Sequence, residues 1–236
     1  MIVKNDLFDY KNRYIFQNED GFKFSLDSIL LAEFSSFTED NKKVLDMCSG
    51  NCSVPLIMSC YNNSDYIGFE IQKEVYELGI QSIEYNKLNN IRLINDDVNN
   101  IGKYCSKNSF DVVTCNPPFF KLNDQKVVNE NEAKAIARHE IAFKLENAFS
   151  ISKDYLKDNG ILYIVHRAER LDELIIMANK YNINIKKVQL ISTKKREKPS
   201  IVLVKCVKNS KMGIAIQSDL CVEGLNSYQN IFKEEK

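Results

Sequence analysis

The chain has 236 residues, 44% of them hydrophobic and 27% charged, and its 32 basic side chains balance its 32 acidic ones. Such totals fit one large globular domain. They exclude a membrane-spanning chain, since no apolar run approaches ~20 residues, and the zero net charge argues against a simple electrostatic nucleic-acid binder. The cysteines are scattered without metal-ligand spacing and read as reduced thiols of a cytoplasmic protein. The polar first residues, 1–14, hold no apolar leader core.

Tyr14-Ile15-Phe16 and Phe22-Lys23-Phe24 flank Asp20-Gly21, which predicts a small hairpin. Ser25 caps a predicted helix over 26–37, with Leu26, Ile29, Leu30 and Phe34 on one face. Lys43-Val44-Leu45 begins the first core strand. The turn Asp46-Met47-Cys48-Ser49-Gly50-Asn51-Cys52 follows, and 54–60 is the next helix. A strand, a turn of small residues and a helix make a nucleotide-binding corner. Gly50 has no Cβ, so ligand atoms can lie against the backbone there, beside Ser49. Asp46, at the strand end, can accept a bond from the ammonium of a bound amino acid, directly or through water.

Tyr66-Ile67-Gly68-Phe69-Glu70 is the second strand. Glu70 stands roughly two dozen residues after Asp46, about where an acid holds both ribose hydroxyls. A carboxylate suits that task because it accepts bonds and donates none. Ile71, next to it, can lie against an adenine ring. A helix over 75–88 shows the stripe Val75, Leu78, Ile83, Leu88 and covers the sheet. Ile91-Arg92-Leu93-Ile94 is the third strand, closed by Asn95-Asp96-Asp97-Val98.

Phe110-Asp111-Val112-Val113-Thr114-Cys115 is short, apolar and β-branched, so it reads as a buried strand. Asn116-Pro117-Pro118-Phe119 cannot continue it, because proline lacks an N–H and fixes φ. The chain leaves the sheet at Asn116 in an extended conformation. That puts an amide, unpaired carbonyls and an aromatic ring at the mouth of the sheet, where α/β folds bind ligands.

The polar stretch 121–134 has the length of a lid, a binding loop or a disordered segment. Ala137-Arg138-His139-Glu140 leads into a helix over 141–156, and Arg138 and His139 are candidate contacts to a substrate strand. After the turn Lys157-Asp158-Asn159 comes a fifth strand, 160–165. His166-Arg167-Ala168-Glu169-Arg170 opens a helix running to about Tyr181. Two further strands, 183–192 and 201–207, are joined by too short a linker for a crossover helix and should pair antiparallel. From Lys186 to Lys211 the charges are basic apart from Glu197, which suits a solvated face or phosphate contacts. There is no internal repeat and no separate second domain.

The tetrapeptide at 116–119 resembles the motif of S-adenosylmethionine-dependent amino-methyltransferases, which act on planar nitrogens of adenine, cytosine or a glutamine amide. The ordered series Asp46 with Gly50, Glu70, Asp97-Val98 and Asn116-Pro117-Pro118-Phe119 is far more specific than any member. With Phe24-Ser25-Leu26-Asp27-Ser28, Ala137-Arg138-His139-Glu140, His166 to Leu171 and Lys198 to Val204, it resembles the bacterial tRNA (adenine-N(6))-methyltransferase family that modifies adenosine 37 of a valine tRNA. The likeness covers roughly Asn12 to Lys208.

It implies an α/β, Rossmann-like class I methyltransferase fold. The sheet would have seven mostly parallel strands, the last two antiparallel, after a small N-terminal hairpin and helix extension. Residues 1–40 would form that extension, 41–208 the core and 209–236 a tail. S-adenosylmethionine is the implied cofactor and tRNA the implied partner; neither a metal nor an obligate protein partner is called for. By the same likeness 24–28 cover the cofactor, and Asp97 takes its adenine amine in preference to Asp96, because Val98 supplies the apolar neighbour. Family members often carry three glycines in the cofactor loop; here only Gly50 remains, with Cys48 and Cys52 at the other two places. Asn116 Oδ1 and the Pro117 carbonyl would accept the two N–H bonds of the target amine, with Pro118 and Phe119 on the base. The alternatives are a ribosomal RNA adenine or release-factor glutamine methyltransferase, or a non-catalytic RNA-binding module on the same fold.

Overall fold

A computed structural model of the chain describes residues 1–7, 10–19, 25–118, 143–195 and 197–232. The N-terminal strands β1 (Ile2–Asp6) and β2 (Tyr14–Asn18) pair antiparallel, with Asp6 opposite Tyr14. The hairpin is therefore present with a different partner. The expected second arm, 22–24, lies outside the described residues, and the reversal observed is at Lys11 and Asn12, both at positive φ. Leu7 and Tyr10 are buried beneath it and fix the turn.

Next come α1 (Leu26–Ser35), β3 (Lys43–Met47), α2 (Ser53–Met58), β4 (Asp65–Phe69), α3 (Lys73–Tyr85) and β5 (Ile91–Ile94). A 3-10 turn, Val98–Lys103, leads to β6 (Phe110–Cys115). After the undescribed stretch come α4 (Leu145–Tyr155), β7 (Leu156–Arg167), α5 (Leu171–Tyr181), β8 (Ile183–Ser192) and β9 (Ile201–Lys208). The short β10 (Ala215–Ile216) and β11 (Leu220–Cys221) close the series.

The main sheet runs β10-β8-β9-β7-β6-β3-β4-β5, with β11 also on β8. Strands β3 to β7 pair parallel with one another, and β9 is antiparallel to both β7 and β8. The last two long strands thus pair as expected, but only β9 is reversed. Two-residue strands from the C-terminal segment raise the count from seven to nine among the described residues. Side chains alternate between two packed faces. Tyr163 and Val165 of β7 join α1 and α2 on one face, whereas Leu162 and Ile164 join α4 and α5 on the other. Both faces being covered explains the near-continuous apolar strands.

Three boundaries differ from expectation. His166 and Arg167 do not open a helix; they end β7, held opposite Val202 and Ile201 of β9. A 3-10 turn, Ala168–Arg170, then precedes α5. The expected turn at Lys157-Asp158-Asn159 lies inside β7 as an irregularity, where pairing jumps from Phe110 opposite Leu156 to Val112 opposite Ile161. Helix α4 starts at Leu145 because Lys144 is extended and donates its N–H to Asn147 Oδ1 at 2.8 Å. Residues after β11 return to α1: Asn230 N–H donates to Glu33 Oε2 at 2.7 Å, and Phe232 meets Phe34 edge-on at 5.4 Å.

Candidate active site

Strand β3 has β4 on one side and β6 on the other, so the chain's winding reverses between β3 and β6. Open α/β sheets bind ligands at that point. A cavity of about 400 Å³ lies there. Ser49 and Gly50 border it from the turn after β3, Glu70 and Ile71 from the end of β4, Asp97 and Val98 from the end of β5, and Asn116, Pro117 and Pro118 from the end of β6. These sequence-predicted residues therefore share one wall-to-wall site. Phe119, Arg138 and His139 lie outside the described residues.

The turn after β3 is held by three bonds to the ends of two strands, β3 and β4. Ser49 N–H donates to Phe69 O at 2.8 Å, Ser49 Oγ donates to Asp46 Oδ2 at 2.7 Å, and Gly50 N–H donates to Glu70 Oε2 at 2.9 Å. Glu70 Oε1 accepts from Gln72 N–H at 2.8 Å. These bonds orient the Glu70 carboxylate at the edge of the cavity.

Asp46 is among the described residues but not on the cavity wall. It is 1% exposed, and its second oxygen accepts from Thr114 Oγ1 at 2.6 Å. Burial pushes its carboxyl up to about 7, against the downward pull of the Thr114 and Ser49 hydroxyls, and the charge of Glu70 adds to the rise. Asp46 thus ties the turn after β3 to β6, the strand that Asn116 follows.

The two neighbouring acids after β5 are distinguished by their partners. Asp96 accepts from Asn100 Nδ2 and Tyr104 Oη, each at 2.8 Å, and from Asp97 N–H at 2.7 Å. Those bonds, Asn100 first and Tyr104 next, hold its carboxyl down at about 2. Asp97 uses Oδ1 for Asn99 N–H at 2.9 Å, capping the 3-10 turn. Among the described residues Asp97 Oδ2 carries no hydrogen bond.

Residues 38–233 match the family described as Methyltransferase domain. The chain belongs to that family. It is also 22% identical to the tRNA1(Val) (adenine(37)-N6)-methyltransferase of Flavobacterium psychrophilum over 89% of this chain and 90% of that protein. To the protein of the same name in Aliivibrio salmonicida it is 23% identical, over 85% of this chain and 83% of that one. Among solved structures, a predicted O-methyltransferase of Agrobacterium tumefaciens superposes with a TM-score of 0.67 at 15% identity, covering 88% of this chain and 93% of that one. M. jannaschii TYW2 in complex with AdoMet gives 0.58 at 16% identity, with 88% and 84% covered. At such identities these two establish the Rossmann-like methyltransferase fold.

This methyltransferase has site residues to which sequence reasoning gave no individual role. Asp27 and Ser28 from the first turn of α1, Arg167 from the end of β7 and Phe143 ahead of α4 all border the cavity. Burial raises the Asp27 carboxyl, and the nearby Arg167 guanidinium pulls it back down. Asp27 and Ser28 stand in the segment 24–28, already noted for its family likeness. Arg167 was hidden by the strand boundary two residues too early. Asn116 Nδ2 donates to Ser28 Oγ at 3.0 Å, joining that first turn to the end of β6. Among the described residues no cluster of His, Cys, Asp and Glu is placed to hold a metal ion, and no helix is long and apolar enough to cross a membrane.

Proposed function

We propose that this methyltransferase uses S-adenosylmethionine to methylate the exocyclic amine of adenine in tRNA, at adenosine 37 of a valine tRNA. The observation that carries the reading is Asn116, on the wall of the cavity, leaving β6 in front of two prolines with its Nδ2 already engaged. The two relatives described above are named for that reaction and match along most of their length.

The residues present fit the cofactor. Glu70, a carboxylate on the cavity wall at the end of β4, suits the ribose hydroxyls, and Asp97 Oδ2 suits the adenine amine. Ile71 and Val98 offer the apolar faces for the ring. Asp27 and Arg167 are an acid and a base facing one cavity, which matches the ammonium and carboxylate of an amino-acid tail. Asp46 supports that end through Ser49 and Thr114 in place of touching it. When bound, the sulfonium supplies an electrophilic methyl group.

The protein's own task is to present the amine. Its lone pair is delocalised into the ring, so it is a weak nucleophile. Asn116 Oδ1 and the Pro117 carbonyl accept its two N–H bonds, turning the lone pair toward the methyl and stabilising the positive charge that builds on nitrogen. Neither carbonyl oxygen is a base at neutral pH, so the amine attacks un-ionised and its surplus proton passes to water afterwards. The base must leave its stack to enter the site. Phe119 is assigned to stacking with it, Pro118 to its edge, and Arg138 and His139 to the RNA strand.

The test offers labelled S-adenosylmethionine with valine tRNA transcript, other tRNAs, ribosomal RNA and release factor in parallel. Label is expected in N6-methyladenosine at position 37 of the valine tRNA. Label on ribosomal RNA or a glutamine amide alone would overturn the substrate. Asn116→Ala should lower kcat by roughly 10²-fold or more, with cofactor affinity unchanged by calorimetry.

A further inference from the structure

Asn116 sits at the end of β6, yet the group that fixes its amide comes from α1, 88 positions earlier in the chain. An asparagine amide can turn over, exchanging its oxygen for its nitrogen in the same space. The outcome matters here. Oxygen toward the cavity accepts an amine N–H, whereas nitrogen toward the cavity sets donor against donor.

We infer that Ser28 is a positioning residue for methyl transfer: its hydroxyl, bonded to Asn116 Nδ2, anchors the inner end of the amide so that the outer end, Oδ1, is held at the substrate amine. The inference rests on the reading of amine methylation given above. Three observations support it. Asn116 Nδ2 donates to Ser28 Oγ at 3.0 Å, and among the described residues Oδ1 carries no bond. Ser28 is only 5% exposed although it borders the cavity, so its hydroxyl is packed against the fold and not loose in solvent. Its backbone is pinned, since Ser28 N–H donates to Ser25 O at 3.1 Å and every residue of α1 from Ser28 to Ser35 is buried. The hydroxyl is therefore a fixed feature of the fold, against which the amide is set before any substrate arrives.

Two variants separate this role from packing. Ser28→Ala removes the acceptor. Ser28→Cys keeps nearly the same shape but accepts hydrogen bonds weakly. Both should lose roughly 10–100-fold in single-turnover rate on valine tRNA transcript, the scale of a misplaced reacting group. Cofactor Kd and RNA KM should stay within about twofold. Wild-type rate in either variant, or a loss that merely follows cofactor affinity, would overturn the inference. An independent reading comes from protein labelled with 15N-asparagine. The Asn116 side-chain NH2 signals should be protected from solvent exchange in the wild type and lose protection in both variants. Equal exchange in all three would refute the bond even without an active substrate. A wild-type enzyme that leaves adenine unmethylated would instead sink the proposed function, and the two failures are distinguishable.

Discussion

Asp46→Asn should stabilise the protein without cofactor at pH 8 far more than at pH 5. Burial lifts the folded Asp46 carboxyl from 3.8 to about 7. Between those values the folded chain keeps a proton that the unfolded chain has released. Stability therefore falls as pH rises through that window: the contribution is complete below pH 3.8 and gone above about 7. At 1.36 kcal/mol per pH unit the whole window is on the order of 4 kcal/mol, of which about 2.5 kcal/mol falls between pH 5 and 8. Asparagine has the same shape and cannot titrate. Its oxygen can accept from one of the two hydroxyls, Ser49 or Thr114, and its NH2 can donate to the other once that hydroxyl rotates. Other titrating groups are common to both proteins and cancel in the difference. For a chain of this size the melting temperature of the variant, relative to wild type, should rise by about 5–10 °C from pH 5 to pH 8. Parallel pH profiles for the two proteins would refute the account, because they would mean that Asp46 is not held protonated by its surroundings.

Substitutions at two more positions probe the same turn. Cys48 lies at φ 56, where a β-branched side chain clashes with its own backbone. Cys48→Val should cost about 2 kcal/mol or more, while Cys48→Gly stays within ~1 kcal/mol, because relief of strain is offset by a freer unfolded chain; urea unfolding distinguishes them. A Cβ on Gly68 would stand 2.6 Å from Ser49 Oγ and 2.7 Å from Leu93 Cδ1. Gly68→Ala should cost about 1–3 kcal/mol and weaken cofactor binding by displacing Ser49 from Asp46, and an unchanged unfolding midpoint together with unchanged calorimetric affinity would show that the space exists.

The strand ends were readable because each one couples an apolar run to a polar stop within a few residues. That signal puts Glu70, the Asp96-Asp97 pair and Asn116 on one edge, and the family likeness picks Asp97 from the pair. What local pattern cannot carry is pairing. Strand β1 is polar and mostly exposed, and its partner β2 is seated from outside, by Ser82 Oγ on Phe16 N–H and Asn86 Oδ1 on Tyr14 N–H. The extension of β7 to Arg167 depends on β9, more than thirty positions later, so Arg167 was placed on a helix and its access to the cavity was missed. Asp46 is engaged by Thr114 across 68 positions, which is why a strand-end acid with the right spacing turned out to stand behind the wall. The basic run shows the same limit. Lys208 is 7% exposed and donates to Leu156 O at 2.6 Å, and Lys205 lies over the Tyr163 ring at 5.9 Å. Part of a stretch that read as a solvated or phosphate-binding face belongs to the fold.

Cysteine at two loop places where the resembled family often has glycine has a structural answer. Cys48 and Cys52 adopt φ values of 56° and 72°, the left-handed region that glycine enters freely. Each imposes a cost of about 1–2 kcal/mol on a residue with a Cβ. Strain of that size persists only where the surroundings over-determine the backbone. Here they do. Phe69, Asp46 and Glu70 hold the turn from the sheet, Cys52 N–H donates to Ser49 O at 3.0 Å, and Asn51 Nδ2 donates to Phe16 O at 3.0 Å. The last bond brings the N-terminal hairpin into the cofactor turn, so that extension supports the site as well as preceding it. The thiols are inert in this setting. A hydrogen bond with Cys115 and then burial push Cys48 well above its ordinary value, and burial does the same to Cys52. Neither offers a thiolate, so the cysteines serve as small packed side chains. The turn keeps its shape through what grips it from outside, and Gly50, at φ 58, gives its N–H to Glu70.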